Sequence, residues 1–461
     1  MIPLYNKYYI LIFLITIGFI FRFFNVNFDD LWIDEIVSFW VANPDLTIQE
    51  SFNNHKNIEQ APILYNFFHK LYFKIFGYHD QIARYLSVIF STLSIPLIFY
   101  LSKLLRNDNS AILVTFFTTF NIFLIAYSQE MRVYSIVFFF NILNLYLFFK
   151  ILKKFKINSN ILFIFSSIIS LLLHPFSFIL IFSIINYLLY LNIFEKKKYF
   201  NLYVSIFIVT SFFIIYYYIY SLSSLGTPAW IIQPDLSFYL NFYSSKFFGS
   251  RLVGILHIFM FLYLIMFYFK KSLKKKYIIF LLIFVFYSYF LPMVYGYLFE
   301  PIILARYLIF VLIPIFLIIS HIVFDLESFK KNILILIIII MTIGNFVTEE
   351  TFKQFYKQRS VYKPEFKKAL QIINNSSNKL YDIKIKDDLL YSNSWNEAVE
   401  NYLNHIINNS SLDIKRIPNL ANNIVPYWII CIHDLNEGKC DTKTEIIKKH
   451  YLNRLELILT K

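Results

Sequence analysis

Four carboxylates follow the first apolar run of the chain, which extends from about Tyr8 to Phe24. They lie in the stretch Phe28-Asp29-Asp30-Leu31-Trp32-Ile33-Asp34-Glu35. Trp32 is the type of side chain that anchors at a membrane interface. Ile36, Val37, Phe39 and Trp40 continue as an amphipathic stretch. This order places Asp34-Glu35 at headgroup depth, where a lipid-borne substrate presents its polar end. A carboxylate there can take a proton from a hydroxyl, so Asp34 reads as a catalytic base. The competing reading is a helix N-terminus enriched in acid, as the helix dipole favours.

Other ionisable groups lie at the ends of later apolar runs. They are Tyr127-Ser128-Gln129-Glu130-Met131-Arg132-Val133-Tyr134, then His174-Pro175, then Glu300-Pro301 with Arg306-Tyr307. Charge at such positions is costly unless paired, which makes these residues candidates for function. Each also has a plainer reading. Arg132 can anchor its loop to headgroups, Arg306 can snorkel, and Glu130 can pair with Arg132. His174 can be a satisfied turn, Asp29 and Asp30 can be solvated, and Arg84 can pack or pair near a helix start.

The elements that must position these groups are membrane helices. Of 461 residues, 58% are hydrophobic, 21% aromatic and only 16% charged, and mean hydropathy is +0.57. Soluble domains carry about 25% charged residues. The first apolar run lacks a small-residue cleavage site and reads as an uncleaved helix. Runs long enough to span a bilayer fall near 8–26, 82–101, 111–127, 132–152, 160–173, 175–193, 200–220, 252–269, 277–295, 302–322 and 331–347, about eleven in all. The two runs flanking His174-Pro175 are short.

The net charge of +14 has a topological explanation. Lysine and arginine crowd alternate loops, near 7, 103–106, 150–156, 196–198, 270–276 and 330–331. The intervening short loops hold only Arg132, Lys246, Arg251 and Arg306. The positive-inside rule makes the lysine-rich face cytoplasmic, and a nucleic-acid partner is not expected. Asp34, the arginines and everything after about residue 347 then face outside. The long segment 27–81 contains a helical-period stretch from Pro62 to Phe76 and is expected to lie along the membrane surface.

The tail, 348–461, is polar and reads as a small α/β domain. Phe366, Ala369, Leu370 and Ile373 share a helical face. Leu380–Ile385, Leu389–Tyr391, Pro426–Ile432 and Leu455–Leu459 read as strands. Ser394-Trp395-Asn396-Glu397 is a capping box opening a helix to about Ile407. Cys431 and Cys440 are the only cysteines and can pair if the tail is exported. No acidic cluster has metal-ligand spacing; no tightly held metal or other cofactor is expected, and a divalent cation near Asp34 stays open.

The order and wording of these pieces resemble the GT-C glycosyltransferases of the protein O-mannosyltransferase type, especially the bacterial branch that includes the lipid A aminoarabinose transferases. The resemblance rests on Leu31-Trp32-Ile33-Asp34-Glu35, Ala61-Pro62-Ile63-Leu64-Tyr65, Phe76-Gly77, Arg84-Tyr85-Leu86-Ser87, Ile95-Pro96-Leu97, the Tyr127–Tyr134 stretch, His174-Pro175-Phe176 and Ala305-Arg306-Tyr307-Leu308. These cover about residues 8 to 310. Relatives often carry Pro-Pro after a Lys or His where this chain has Gln60-Ala61-Pro62, so a lysine contact to phosphate seen there is absent. The large extracytoplasmic insertion of the eukaryotic mannosyltransferases is also missing, so a protein acceptor is not implied.

The resemblance implies an α-helical polytopic GT-C protein. Its transmembrane catalytic domain would be 1–347, with 27–81 as the first extracytoplasmic loop, and 348–461 its extracytoplasmic α/β domain. It implies inverting transfer of a sugar from a polyprenyl-phosphate donor to an acceptor hydroxyl on a lipid, glycan or protein, at the outer face of the inner membrane. A phosphate leaving group needs no general acid, so one base, Asp34, suffices, with Glu35 orienting the acceptor or sharing the charge. Arg132 and Arg306 would hold the phosphate, Tyr134 and Tyr307 would add hydroxyl donors, and Glu130 and His174 would complete the substrate site. The rivals are a surface-glycan polymerase or ligase and a lipid-linked sugar transporter or flippase. The first favours a large late loop, and the second favours mid-membrane charge and internal repeats.

Overall fold

A computed structural model describes residues 4–58, 62–223, 231, 233–235, 238, 247–271, 276–347, 363–385, 393–417, 426–432 and 445–460. The helices run α1 (Leu4–Phe23), α2 (Ile33–Val41), α3 (Ile48–Lys56), α4 (Leu64–Phe76), α5 (Tyr85–Leu105) and α6 (Asp108–Phe120). They continue as α7 (Ile122–Ser128), α8 (Tyr134–Lys153), α9 (Ile157–Leu173), α10 (Phe178–Glu195), α11 (Phe200–Ser223) and α12 (Arg251–Lys270). After these come α13 (Lys276–Leu298), α14 (Leu312–Val323), α15 (Ser328–Gly344), α16 (Phe366–Asn374) and α17 (Asn393–Asn408). The strands are β1 (Leu380–Ile385), β2 (Lys415–Arg416), β3 (Tyr427–Ile432), β4 (Ile446–Leu452) and β5 (Leu455–Thr460).

Two compact units form. One comprises Met1–Phe24, Ala61–Tyr65 and Arg84–Phe352, and the other Asn25–Gln60, Asn66–Ala83 and Lys353–Lys461. The segment after the first helix therefore clusters with the tail and not with the long apolar helices.

The first unit is the helical membrane body. Every apolar run expected to span falls on a helix or a broken pair. Among the described residues, seven helices are long and apolar enough to cross a membrane, or eight counting a pair bent by 54°. That is fewer than the eleven expected from hydropathy; α9 and α15, at 17 residues each, are shorter than the helices counted. The bent pair is α6 and α7, broken at Asn121. The Asn121 side chain accepts from the Leu124 N–H at 3.0 Å and donates to the Phe247 carbonyl at 2.8 Å. At His174-Pro175 the missing proline N–H and the fixed φ begin a new helical turn, and α9 ends. The most enclosed span is Ala305–Val323, 89% buried. Several hydroxyls inside this body bond back to the preceding turn, as Thr115 does to the Ala111 carbonyl and Ser183 to that of Ile179, both at 2.7 Å. Such bonds satisfy a hydroxyl within its own helix, where the interior offers no water.

Arg22, in the last turn of α1, is fully buried. Its guanidinium donates to Ser91 Oγ (2.8 Å) and to the carbonyls of Gly18 (3.0 Å), Thr119 (3.1 Å) and Thr118 (2.8 Å). Thr118 and Thr119 end α6, where carbonyls lose their intrahelical donors. One arginine thus closes α6 and ties α1 to α5. At lysine-rich helix ends, Arg106 forks onto Asp325 at 3.0 and 2.9 Å.

The second unit holds a five-stranded sheet in the order β2-β1-β3-β5-β4. β1 runs parallel to β2 and β3, while β5 is antiparallel to β3 and β4. Register sets Ile430 opposite Leu457. β3 is buried along its whole length, as its unbroken apolar run requires of a central strand. The sequence reading missed β4, whose Lys448 and Lys449 obscure the alternation; it is an exposed edge strand. The four apolar residues expected on one face of α16 are all buried. α17 covers α2, with Tyr402 and His405 against the Phe39 ring at 6.0 and 5.1 Å. Cys431 is disulfide-bonded. Cys440, Lys246, Gln60-Ala61, the strand expected at Leu389–Tyr391 and the Ser394 side chain lie outside the described residues.

Candidate active site

In the helical unit, the turn between α7 and α8 carries Glu130 and Arg132. Gln129 sets its place. The Gln129 amide donates to the carbonyls of Phe21 (3.3 Å), Arg22 (3.2 Å) and Phe24 (3.0 Å), at and just past the end of α1. Ser135 Oγ closes the turn onto the Tyr127 carbonyl at 3.0 Å. Ser87 Oγ donates to the Arg132 carbonyl at 3.4 Å. Arg132 is therefore fixed by its backbone before its side chain is used.

Three separate helix breaks converge near that turn. Tyr134 opens α8, His174 separates α9 from α10, and Arg306-Tyr307 lie in the 3-10 turn Ala305–Val311 before α14. The ring of His174 lies 4.9 Å from that of Tyr307 and 6.5 Å from that of Tyr134. Tyr134 and Tyr307 are 6.2 Å apart, and Phe176 packs on Tyr307 at 5.6 Å. The Arg306 guanidinium lies 5.8 Å from the Tyr307 ring and 6.0 Å from that of Tyr134, within cation–π range.

His174 Nδ1 accepts from the Phe176 N–H at 3.2 Å. This agrees with the plainer reading of His174 as a satisfied turn, yet the same ring sits inside the tyrosine cluster. Burial pulls its pKa down to about 3, and the positive charges of Arg132 and Arg306 add to the shift. The imidazole is therefore neutral at pH 7, with Nε2–H as its donor. The structure thus brings Arg132, Tyr134, His174, Arg306 and Tyr307 together from breaks far apart in sequence. Two guanidiniums thus lie near one buried neutral ring, among aromatic side chains.

In the other unit, Asp34 and Glu35 occupy the first turn of α2. Glu35 is fully buried, and its Oε2 accepts from the Trp32 N–H at 3.2 Å. This closes the helix start, as acid in the third helical position does. Lys363 Nζ lies 3.7 Å from the same oxygen. Asp34 is half-buried, and its carbonyl accepts from Ser38 Oγ at 3.1 Å. Asp30 departs from expectation. It is buried, not solvated, and its Oδ2 accepts from the Lys367 N–H at 2.9 Å, capping α16. Arg84 is also buried.

Among the described residues, no three His, Cys, Asp or Glu side chains group to hold a metal ion. The sequence reading missed Gln129, Arg22 and Lys363. Gln129 stands in the Tyr127–Tyr134 stretch, but nothing local marks it as a cap for another helix.

A family model described as dolichyl-phosphate-mannose-protein mannosyltransferase matches residues 60–216. A search of the curated proteins finds no match. Among solved structures, ArnT from Cupriavidus metallidurans bound to undecaprenyl phosphate aligns with a TM-score of 0.60 at 9% identity, over 97% of each chain. The archaeal oligosaccharyltransferase AglB from Archaeoglobus fulgidus, in complex with an inhibitory peptide and a dolichol-phosphate, aligns with a TM-score of 0.53 at 10% identity. That alignment covers 93% of this chain and 69% of AglB. The chain has the GT-C fold and resembles ArnT over nearly its full length.

Proposed function

We propose that this GT-C chain is an inverting glycosyltransferase that moves a sugar from a polyprenyl-phosphate donor to an acceptor hydroxyl outside the cytoplasmic membrane. The observation that carries the reading is the convergence of Arg132 and Arg306 on the neutral His174, with Tyr134 and Tyr307 between them. Such a cationic cluster suits an anion, and a guanidinium forks onto phosphate oxygens. The ArnT structure sharing this fold holds undecaprenyl phosphate.

The chemistry assigns the remaining roles. Asp34 takes the proton of the acceptor hydroxyl as that oxygen attacks the anomeric carbon. The bond from that carbon to the phosphate oxygen breaks, and its electron pair stays with the polyprenyl phosphate. Charge builds on the leaving group, where cations lower the barrier most. His174 and the tyrosines supply neutral donors beside the guanidiniums. Glu130 steadies the Arg132 turn, and Glu35 shapes the first turn of α2.

Mass analysis of surface glycans, lipids and glycoproteins tests this in cells with and without the gene, complemented by the wild type or Asp34→Asn. The expected result is one acceptor that gains a single sugar with the wild type and not with the variant. Identical profiles in all three would reject a transferase. A flippase would instead change donor location while the Asp34→Asn cells matched the wild type.

A further inference from the structure

The region 363–367, just ahead of α16 and in its first turn, meets acidic residues of the segment after α1 at three points. Lys363 Nζ lies 3.7 Å from Glu35 Oε2. The Lys367 N–H donates to Asp30 Oδ2 at 2.9 Å, and Lys367 Nζ meets Asp80 at 2.6 Å. These acids flank Asp34 on both sides in sequence. The region is itself fixed. Glu365 Oε2 accepts from the Asn453 N–H at 3.0 Å, and the Glu365 N–H donates to the Asn453 carbonyl at 3.3 Å. Asn453 lies in the β4–β5 turn, so the contacts trace back to the sheet.

We infer that the C-terminal α/β segment holds the catalytic turn in its working geometry, with Lys363 as a positioning residue that acts on Asp34 through Glu35; this rests on the reading of Asp34 as the base. Glu35 is a fully buried carboxylate, and such a group is stable only when paired and hydrogen-bonded. The oxygen that meets Lys363 is the one that closes the α2 start through the Trp32 N–H. Asp34 sits one residue earlier in that turn, so its direction is set by the turn. Losing the lysine charge loosens the turn and moves the Asp34 carboxylate, while a phosphate site in the helical unit keeps its residues.

The test uses the full chain in cells lacking the gene, with glycosylated product quantified per amount of protein. Lys363→Ala and Lys363→Gln should each lower product roughly ten- to a hundredfold, as displaced catalytic groups do, and Lys363→Arg should restore it. Undecaprenyl phosphate, added to the purified variants, should bind as it does to the wild type. Wild-type product from both Lys363→Ala and Lys363→Gln would overturn the inference. So would failure of Lys363→Arg to restore product, or loss of undecaprenyl phosphate binding alongside lost product. Full product from Asp34→Asn would instead sink the proposed function. A silent Asp34→Asn with active Lys363→Ala and Lys363→Gln sinks only this inference.

Discussion

His174 and Tyr307 meet ring to ring, centroids 4.9 Å apart, although helices α10 to α13 lie between them in the chain. One belongs to a His-Pro break and the other to a 3-10 turn. Their contact sets the place of Arg306, which precedes Tyr307 and lies over the Tyr134 ring.

His174 makes stability depend on acid. Burial and the two arginines lower its pKa from 6.5 to about 3 in the folded chain. The unfolded chain therefore binds more protons between these values, and stability falls as pH drops below about 6.5. The thermal midpoint of the detergent-purified protein should fall from pH 7 to pH 5. His174→Gln should flatten that fall; an unchanged slope would remove this assignment.

Removing one guanidinium should weaken phosphate binding. Charge-assisted hydrogen bonds contribute about 1.5–3 kcal/mol each, so Arg132→Ala or Arg306→Ala should weaken undecaprenyl phosphate binding roughly ten- to a hundredfold. Calorimetry on the purified protein measures this, and raised salt should weaken the wild type less than the loss of either arginine. Wild-type affinity in both variants would reject the phosphate role.

Asp34→Asn keeps the size of the side chain and removes the base. General base catalysis contributes about 10²–10⁴ in rate, so sugar transfer should fall by at least that lower factor. Undecaprenyl phosphate affinity should stay within about twofold, since Asp34 binds no phosphate in this scheme. A product yield close to wild type at equal expression ends the assignment.

Arg22→Met should destabilise the helical unit without touching the site. It strands the Thr118 and Thr119 carbonyls at the end of α6. Unpaired buried acceptors cost about 1–3 kcal/mol each, so the thermal midpoint should drop by several degrees. A midpoint equal to wild type would show that water or rearrangement satisfies those carbonyls.

Much of the fold was legible because its causes are local. A helix in lipid must satisfy its own backbone and needs about twenty apolar residues, so hydropathy located every long helix. The α16 face at Phe366, Ala369, Leu370 and Ile373 and the strand β3 followed from period and apolar run alone. The break at Asn121 was missed because a single polar residue in an apolar run reads as tolerable until its side chain is seen bonding Leu124. β4 was missed because an edge strand with one exposed face carries no strong pattern.

By itself the sequence determined the candidate chemistry: carboxylates after the first helix, arginines and tyrosines at later helix ends, and a small α/β tail. Residue type and spacing along the chain suffice for that, since the cost of charge at a membrane boundary is paid locally. Tertiary structure alone decided that Arg132, Tyr134, His174, Arg306 and Tyr307 gather around one ring cluster. It alone decided that Asp30 caps α16 and that Lys363 meets Glu35. Those are pairings across hundreds of residues, fixed by packing against third parties such as Gln129 and Asn453, and no local pattern encodes which partner a buried charge will find.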